Sequence, residues 1–299
     1  MTIRSAKKPT RNLGVGVGMR EKHYPVILAG EHAPARWIEV NAEKYLERDD
    51  GRFDSHLQVL ELVREQMPVV LHGTSLSLGS VDHDSTEYLK QLVELVDRIE
   101  PELVSDHLCW SGTGGVKLFD LLPVPFQEES IEVLVSRISA AQDALQRRIL
   151  VENLSSYLEL ESSDMTEWEF ISEVARRADC YLLLDINNVY VSCQNHGWDP
   201  YEFVASIPHE RVYQIHLAGF FDRGDLKIDT HGELTADPVW DLYRFYIERF
   251  GPVSSMIEWD NHVPEWPVMA GELEKIERVL IGPGVWGAAA GREERAACA

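Results

Sequence analysis

Short apolar runs alternate with longer amphipathic stretches along most of the chain. Near-continuous runs of Val, Ile and Leu indicate strands that are covered on both faces, as in a parallel sheet. Each run is only a few residues long, which is the length of a buried strand rather than of a helix. Eight such runs begin at Leu13, Trp37, Val69, Leu103, Ile149, Tyr181, Val212 and Ser255.

The stretches between these runs have helical spacing. Leu57, Leu60 and Val63 form one apolar stripe at intervals near 3.6 residues. The segment from Ser85 to Pro101 opens with a pattern similar to a capping box and stops at a proline. Further helices are predicted over 128–146, 166–177, 200–206, 238–250 and 268–280.

Regular alternation of strand and helix predicts repeated βα units. A doubly wound open sheet shares this alternation, but eight strands with polar residues at the ends of most of them favour closure. We therefore predict the α/β class and a single (β/α)8 TIM barrel, which typically takes about 250 residues. The predicted divisions are a flexible lead-in over 1–12, the barrel over 13–281 and a disordered tail over 282–299.

Six of the eight runs end at or next to a side chain that can bind a metal ion. A parallel barrel brings the carboxyl ends of all its strands to one face, so residues far apart in sequence converge on one pocket. These strand-end residues are His72, His107, Glu152, Asp185, His216 and Glu258.

The spacing of these residues suggests three metal positions. A carboxylate has two oxygens with separate lone pairs, so Glu152 can bridge two ions. Asp229 and His231 form an Asp-x-His pair, and in an extended segment such residues point to the same side. The first predicted group is His72, His107 and Glu152; the second is Glu152, Asp185, His216 and Glu258; the third is Asn188, Asp229 and His231.

Each of these residues, taken alone, has an ordinary structural interpretation. A histidine at a strand end is more often a hydrogen-bonded polar residue, and a buried carboxylate often caps a helix or pairs with Arg. Burying so many carboxylates and imidazoles together is costly unless cations neutralise them, so the metal interpretation is favoured. Imidazole and carboxylate donors without thiolate suit iron, zinc or manganese. Glu39, Asn41 and Glu43 are predicted to support the ligands or contact substrate, unless they only make barrel-mouth hydrogen bonds.

Composition narrows the choice of partners. The formal net charge of −22 repels nucleic acid phosphates, so we expect no nucleic acid partner. The four cysteines have neither a C-x-x-C pair nor dense spacing, so no disulfide framework is predicted. No segment has the ~18 consecutive apolar residues of a membrane span, and no secretory signal is present. These features predict a cytoplasmic protein without a membrane partner.

Several motifs around the candidate ligands resemble one known family. They include SDHLCWSGTGGVKLFDLLPVPF, ILVENLSSYL, LLLDINNVYVSCQNHG, DTHG and IEWDNHVP. Together with LHGTSLSLGS and IHLAG, these motifs resemble the multinuclear non-haem iron-dependent oxidative enzymes (MNIO), which include the methanobactin-maturation oxidase. The likeness runs from about residue 14 to residue 280 and looks closest to the bufferin-maturation branch.

This resemblance implies a xylose-isomerase-like TIM barrel that holds two or three irons, as Fe(II) or Fe(III), and uses O2 as co-substrate. It implies an oxidoreductase that modifies cysteine in a ribosomally made precursor peptide, together with a separate leader-binding partner protein. His216, Asp185 and Glu152 would be catalytic. The implied metal ligands are His72, His107, Glu152, Asp185, Asn188, His216, Asp229, His231 and Glu258.

Three other functions are compatible with the same pattern. A trinuclear zinc hydrolase of the apurinic-endonuclease type has nearly the same ligand order, but it carries histidine where this chain has Asn188. A xylose-isomerase-like sugar enzyme has carboxylate-rich sites, in which His72 and His107 are hard to place. A metal-dependent carrier would bind a precursor peptide without changing its mass.

Overall fold

A computed structural model describes residues 9–46 and 55–282 of the chain. Most of the predicted lead-in, a short stretch at 47–54 and the predicted tail beyond residue 282 lie outside the described residues. Arg11, within the predicted lead-in, donates a hydrogen bond from Nε to the carbonyl oxygen of Val212, at 3.1 Å. No described helix is long and apolar enough to cross a membrane.

The strands and helices alternate along the described chain. The strands are β1 (Val15–Gly18), β2 (Trp37–Asn41), β3 (Val69–His72), β4 (Leu103–His107), β5 (Trp110–Thr113), β6 (Val116–Leu122), β7 (Leu150–Glu152), β8 (Tyr181–Asp185), β9 (Val212–Leu217), β10 (Phe220–Asp222), β11 (Lys227–Asp229) and β12 (Ser254–Ile257). The α-helices are α1 (Tyr24–Leu28), α2 (Ser55–Arg64), α3 (Thr86–Ile99), α4 (Glu128–Leu145), α5 (Glu167–Arg177), α6 (Ile186–His196), α7 (Pro200–Ser206), α8 (Asp237–Phe250) and α9 (Trp266–Ile281).

Eight of these strands close into a parallel barrel in the order β1-β12-β9-β8-β7-β4-β3-β2. All neighbouring pairs are parallel, so every carboxyl end lies at the same mouth. The predicted TIM barrel is therefore confirmed. The eight barrel strands coincide with the eight apolar runs, because a strand covered inside by side chains and outside by helices requires apolar residues on both faces.

The strand register sets the candidate ligands side by side. His107 of β4 is paired with Glu152 of β7, and Asp185 of β8 is paired with His216 of β9. Asn41, the last residue of β2, is paired with His72 of β3. One level of the barrel mouth thus carries side chains that lie far apart in sequence.

The barrel interior below this level is filled with large apolar and aromatic side chains. Trp37 is fully buried there and donates from its indole nitrogen to the carbonyl oxygen of Gly14 at 3.0 Å. A Cβ added at Gly16 would lie 2.2 Å from the Trp37 ring, so this position of β1 requires glycine. The packed interior closes the barrel beneath the mouth. Its members are Trp37, Val70, Leu103, Leu150, Tyr181, Leu183, Tyr213 and Met256.

Two segments that follow barrel strands contain antiparallel hairpins. Strands β5 and β6 form one two-stranded sheet, and β10 and β11 form another. The second hairpin carries Asp229 as the last residue of β11 and leads directly to His231. Sequence alone missed these hairpins because each is short and lacks a clear alternating pattern.

The predicted capping box at the start of α3 is wrong. The Ser85 side chain does not cap α3; instead its hydroxyl oxygen accepts from Nη2 of Arg137 at 3.2 Å. Asp84 takes the capping role, since its Oδ1 accepts from the Thr86 backbone N–H at 2.9 Å. A capping box does occur at the start of α5, between Thr166 and Glu169.

Candidate metal centre

The barrel mouth contains a polar cavity of about 480 Å³. Its lining comes from the ends of the barrel strands, the loops that follow them and the β10–β11 hairpin. Among the predicted ligands, the lining includes His72, His107, Glu152, Asn188, Asp229, His231 and Glu258. Asp185 and His216 lie directly beneath as fully buried side chains.

The first predicted group comes together around one oxygen of Glu152. Nε2 of His72 and Nε2 of His107 each lie 3.2 Å from Oε2 of Glu152. The ring centroids of the two histidines are 4.6 Å apart. Ligand atoms of all three residues lie within 4.8 Å of one another, which is close enough to surround a single ion.

Both histidines are held by their other ring nitrogen. Nδ1 of His107 donates to the carbonyl oxygen of Gly73 at 3.0 Å, and Nδ1 of His72 donates to Oγ of Ser105 at 2.8 Å. A ring nitrogen that donates to oxygen carries the proton, so in the neutral imidazole Nε2 keeps a lone pair directed at the cavity. This is the orientation that a metal-binding histidine needs.

The second predicted group forms around the other oxygen of Glu152. Nδ1 of His216 lies 3.6 Å from Oε1 of Glu152 and 2.9 Å from Oε2 of Glu258. Asp185 completes the group, with ligand atoms again within 4.8 Å of one another. Because Oε2 of Glu152 faces the first group and Oε1 faces the second, the two groups share this carboxylate.

Asp185 is fixed by its place at a strand-to-helix junction. It is the last residue of β8 and the N-cap of α6, where its Oδ1 accepts from the Asn188 backbone N–H at 2.7 Å. The amide of Asn153 bonds to both the backbone N–H and the carbonyl oxygen of Asp185, at 2.9 and 3.0 Å. One carboxylate oxygen is thereby occupied by the helix, while Oδ2 is directed into the centre.

The third predicted group is only partly assembled. Oδ1 of Asp229 lies 2.7 Å from Nε2 of His231, and Ser155 donates to Oδ2 of Asp229 at 3.0 Å. Asn188 lines the same cavity, and its side-chain nitrogen donates to the carbonyl oxygen of Asn153 at 3.1 Å. His231 has a φ of 44°, a left-handed conformation that is uncommon for residues other than glycine and is typical of constrained functional positions.

Several buried ligand atoms lack an aligned hydrogen-bond partner within the described chain. Buried polar atoms are almost always hydrogen-bonded, so such a concentration in one cavity requires an explanation. Metal ions explain it, since each atom directs a lone pair into the space between the groups. The residues therefore fit a metal cluster held by imidazole, carboxylate and amide donors. The atoms are Oε2 of Glu152, Oδ2 of Asp185, Oδ1 of Asn188, Nδ1 of His216 and Nε2 of His231.

The electrostatics of the histidines follow from this crowding. Burial opposes protonation of His216, but Glu39, Glu258 and Glu152 raise its pKa well above the usual value. Burial likewise opposes protonation of His231, whose pKa Asp229 and Glu258 raise well above the usual value. Burial lowers the pKa of His107. Without a metal the centre therefore retains protons, and metal binding must release them.

The pKa values of the carboxylates in the centre are also shifted, and in opposite directions. Burial raises the pKa of Asp185 well above its usual value. Burial also works against ionisation of Glu258, but His216 and His231 hold its pKa well below the usual value. Positive charge from metal ions would allow all of these carboxylates to be ionised together.

Two residues at the centre had no predicted metal-binding role. Asp260 approaches His231, with its Oδ2 3.2 Å from Nδ1, and it groups with His231 and Glu258 as a possible ligand set. The sequence feature that could have identified Asp260 as a candidate ligand is its position two residues after Glu258. Glu39, expected only as a supporting or substrate-contacting residue, lies 3.1 Å from Nε2 of His216.

Comparison with known proteins identifies the family. The family model described as "RiPP precursor modification enzyme MbnB/TglH/ChrH" matches residues 14–281. The chain belongs to this family. RiPPs are ribosomally synthesised and post-translationally modified peptides, so membership makes the chain an enzyme whose substrate class is a precursor peptide. The MNIO resemblance of the sequence motifs is confirmed.

Curated relatives of this MbnB/TglH/ChrH family member cover nearly the same length. A UPF0276 protein of Anaeromyxobacter sp. (strain Fw109-5) is 52% identical over 254 residues, covering 85% of this chain and 88% of that protein. A UPF0276 protein of Caulobacter vibrioides (strain NA1000 / CB15N) is 46% identical over 261 residues, covering 87% and 92%.

Solved structures similar to the family member share its fold at low identity. Endonuclease IV from Thermus thermophilus has a TM-score of 0.56 at 14% identity, covering 91% of this chain and 99% of that chain. D-psicose 3-epimerase from Clostridium cellulolyticum H10 has a TM-score of 0.54 at 9% identity, covering 89% and 95%. At such identities the likeness shows the xylose-isomerase-like barrel alone.

Proposed function

We propose that this chain is a multinuclear iron- and O2-dependent oxidase that modifies cysteine residues in a ribosomally made precursor peptide, together with a leader-binding partner protein. The observation that carries the proposal is the shared carboxylate of Glu152, which has one oxygen in each of two adjacent ligand groups. In a precursor-modifying family, two ions held side by side support an oxidative reaction on a bound side chain.

The donor set supports iron. It consists of imidazole, carboxylate and amide groups without a thiolate, which suits iron, zinc or manganese. Asn188 in place of a third-site histidine makes a trinuclear zinc hydrolase a poorer match, since an amide is a weaker zinc ligand than imidazole. When bound, iron supplies O2 activation and lowers the pKa of a coordinating thiol.

The residues of the chain have distinct tasks in this proposal. His72 and His107 would hold one ion with Glu152, and Asp185, His216 and Glu258 would hold a second with the same carboxylate. Hydrogen bonds from the opposite ring nitrogens and from the start of α6 fix the donor atoms in place before any substrate binds.

The shape of the cavity fits a peptide side chain better than a large free substrate. The packed barrel interior closes it from below, and a volume of about 480 Å³ admits a cysteine with its adjoining main chain. Exposed Tyr157 lines the entrance, and its hydroxyl accepts from the Asp229 backbone N–H at 2.9 Å. The tyrosine thus ties the third group to the rim over which a peptide would enter.

The assignment to the bufferin-maturation branch is part of the same proposal. It rests on the sequence motifs quoted above and predicts a precursor with cysteine as the modified residue. A separate partner would recognise the precursor leader. The −22 charge of the chain is consistent with a peptide substrate rather than a nucleic acid.

The test is a mass measurement on a cysteine-containing precursor encoded beside the gene. The protein, purified anaerobically with its metals, is mixed with precursor and partner and then exposed to O2. We expect a change in precursor mass located at cysteine and dependent on O2. Asp185→Ala and His216→Ala should abolish it while circular dichroism shows the fold retained, and Asp222→Ala on the β10–β11 hairpin serves as a control.

Two results would contradict the proposal. Full activity of either ligand variant would show that the centre is not the site of reaction. Tight binding of precursor without any change in mass under O2 would instead indicate a peptide carrier.

A further inference from the structure

A second cavity opens beside the metal pocket. It has a volume of about 280 Å³ and shares Arg20 and Asn41 with the lining of the metal pocket, so the two spaces adjoin. We call it the basic pocket. Its lining is Met19, Arg20, Glu21, Lys22, Asn41, Lys44, Tyr45 and Val263.

The two cavities have opposite charge. The basic pocket is lined by three cationic side chains and one carboxylate, Glu21. The metal pocket is lined by one cation, Arg20, and by six carboxylates. In a chain with a net charge of −22, this small cavity gathers three cations, each of which is paired with one carboxylate. The six carboxylates are Glu39, Asp120, Glu152, Asp229, Glu258 and Asp260.

Arg20 joins the basic pocket to the metal centre. It follows β1, and its Nε donates to the carbonyl oxygen of Trp259, the residue after Glu258, at 2.9 Å. Its Nη2 pairs with Asp260. A guanidinium has five N–H donors, and Nη1 of Arg20 has no hydrogen-bond partner among the described residues. Arg20 therefore retains donors for a ligand at the border of the two pockets.

The two lysines form exposed ion pairs, and Nζ of Lys22 also donates to the carbonyl oxygen of Val263 at 2.9 Å. Nζ of Lys22 lies 2.8 Å from Oε1 of Glu265, and Nζ of Lys44 lies 2.5 Å from Oε1 of Glu21. All four side chains are substantially exposed. Exposed pairs of this kind contribute little to stability, so a ligand carboxylate can join or replace these partners at low cost.

Asn41 lies between the basic pocket and the metal ligands. It is the last residue of β2 and is paired in register with His72, a first-group ligand on the neighbouring strand. Asn41 also lines both cavities, so a peptide with its cysteine at the first group has a direct route past Asn41 into the basic pocket.

We infer that the basic pocket binds a carboxylate of the peptide substrate, close in sequence to the cysteine in the metal pocket. This inference rests on the proposed function. The carboxylate has two possible sources, an Asp or Glu side chain near the cysteine or the carboxyl terminus of the peptide. Arg20, Lys22 and Lys44 are the specificity-determining residues.

The test measures binding of synthetic peptides under argon, so no turnover is involved. The protein carries the metals with which it was purified. The first pair of probes is Ac-Gly-Gly-Cys-Gly-Asp-Gly-NH2 and the same peptide with Asn in place of Asp. The second pair is Ac-Gly-Gly-Cys-Gly-Gly with a free or an amidated carboxyl terminus. Calorimetry gives the dissociation constant of each.

We expect the negatively charged member of at least one pair to bind about tenfold more tightly than its neutral counterpart. The pair that shows the difference identifies the source of the carboxylate. The preference should weaken in 0.5 M NaCl, because it arises between partly exposed charges. The double variant Lys22→Gln/Lys44→Gln should lose most of this preference, measured as the ratio of the two dissociation constants within a pair. Lys90→Gln, on the exposed face of α3, is the matched control.

Equal binding within both pairs, no detectable binding of any probe, or an undiminished preference in the double variant would each overturn the inference. Failure of the proposed function is recognised separately, since it leaves the precursor mass unchanged under O2 whatever the binding preference.

Discussion

Glu39 and His216 face each other across the barrel interior, with Oε1 of Glu39 3.1 Å from Nε2 of His216. Both side chains are buried. This contact lies on the edge of the imidazole opposite to Nδ1, which faces Glu152 and Glu258. A carboxylate that accepts a hydrogen bond from the Nε2–H group fixes the tautomer of His216 and makes Nδ1 a stronger metal ligand.

Replacing Glu39 should therefore weaken metal binding although Glu39 belongs to none of the three predicted ligand groups. We expect Glu39→Gln to lower the affinity of the second group by about tenfold or more, because the anion that supports His216 is lost. Competition with a coloured chelator measures the change. Glu94→Gln, an exposed position on α3, is the control. An unchanged affinity would show that the contact has no influence on the centre.

Metal binding at the third predicted group should be independent of metal binding at the other two groups. Asp229 and His231 are carried by the β10–β11 hairpin and the loop that follows, whereas the first two groups are built on barrel strands. Asp229→Ala should lower the metal content by about one ion per chain and leave the other ions bound. Asp222→Ala changes the same hairpin without removing a proposed ligand. Loss of all metal in the Asp229 variant, with the hairpin intact in the control, would refute this independence.

The buried carboxyl group of Glu167 should make the free energy of unfolding depend on pH. Burial raises its pKa to about 8, and among the described residues its carboxyl group has no hydrogen-bond partner. Between the pKa of the unfolded chain, about 4.5, and about 8, the folded state retains a proton that the unfolded state has released. This group's contribution to the free energy of unfolding is therefore lost as pH rises through that range, by at most about 1.4 kcal/mol per pH unit.

Glu167→Gln removes the titrating proton and should flatten this dependence. We expect the melting temperature of the variant, relative to the unmodified protein, to increase steadily from pH 5 to pH 8. Calorimetry at several pH values gives the comparison, with Glu94→Gln as the exposed control. A difference that does not change with pH would mean that Glu167 is already ionised in the folded protein.

Much of the barrel could be predicted because the relevant information is local. Runs such as Val69–His72 and Tyr181–Asp185 are apolar up to a polar last residue, a pattern that favours a buried parallel strand whose carboxyl end reaches a polar site. Once the strands are known to be parallel and closed, the convergence of His72, Glu152 and Asp185 follows from topology.

The remaining features depend on contacts between distant segments. Nothing near Ser85 in the sequence shows that Arg137 takes its hydroxyl, which leaves the cap of α3 to Asp84. Similarly, the contact of Glu39 with His216 joins residues 177 positions apart and depends on the diameter of the barrel. Asp260 approaches His231 only because the β12 loop folds back onto the segment after β11.

The central claim is that Glu152 holds two irons side by side in a multinuclear centre. The most direct test is elemental analysis of the protein purified anaerobically without added metal, alongside Glu152→Gln. We predict two or more irons per chain with little zinc, and loss of most of that iron in the variant. Near three zincs and no iron, persisting after expression in iron-rich medium, would contradict the account and indicate a hydrolytic centre instead.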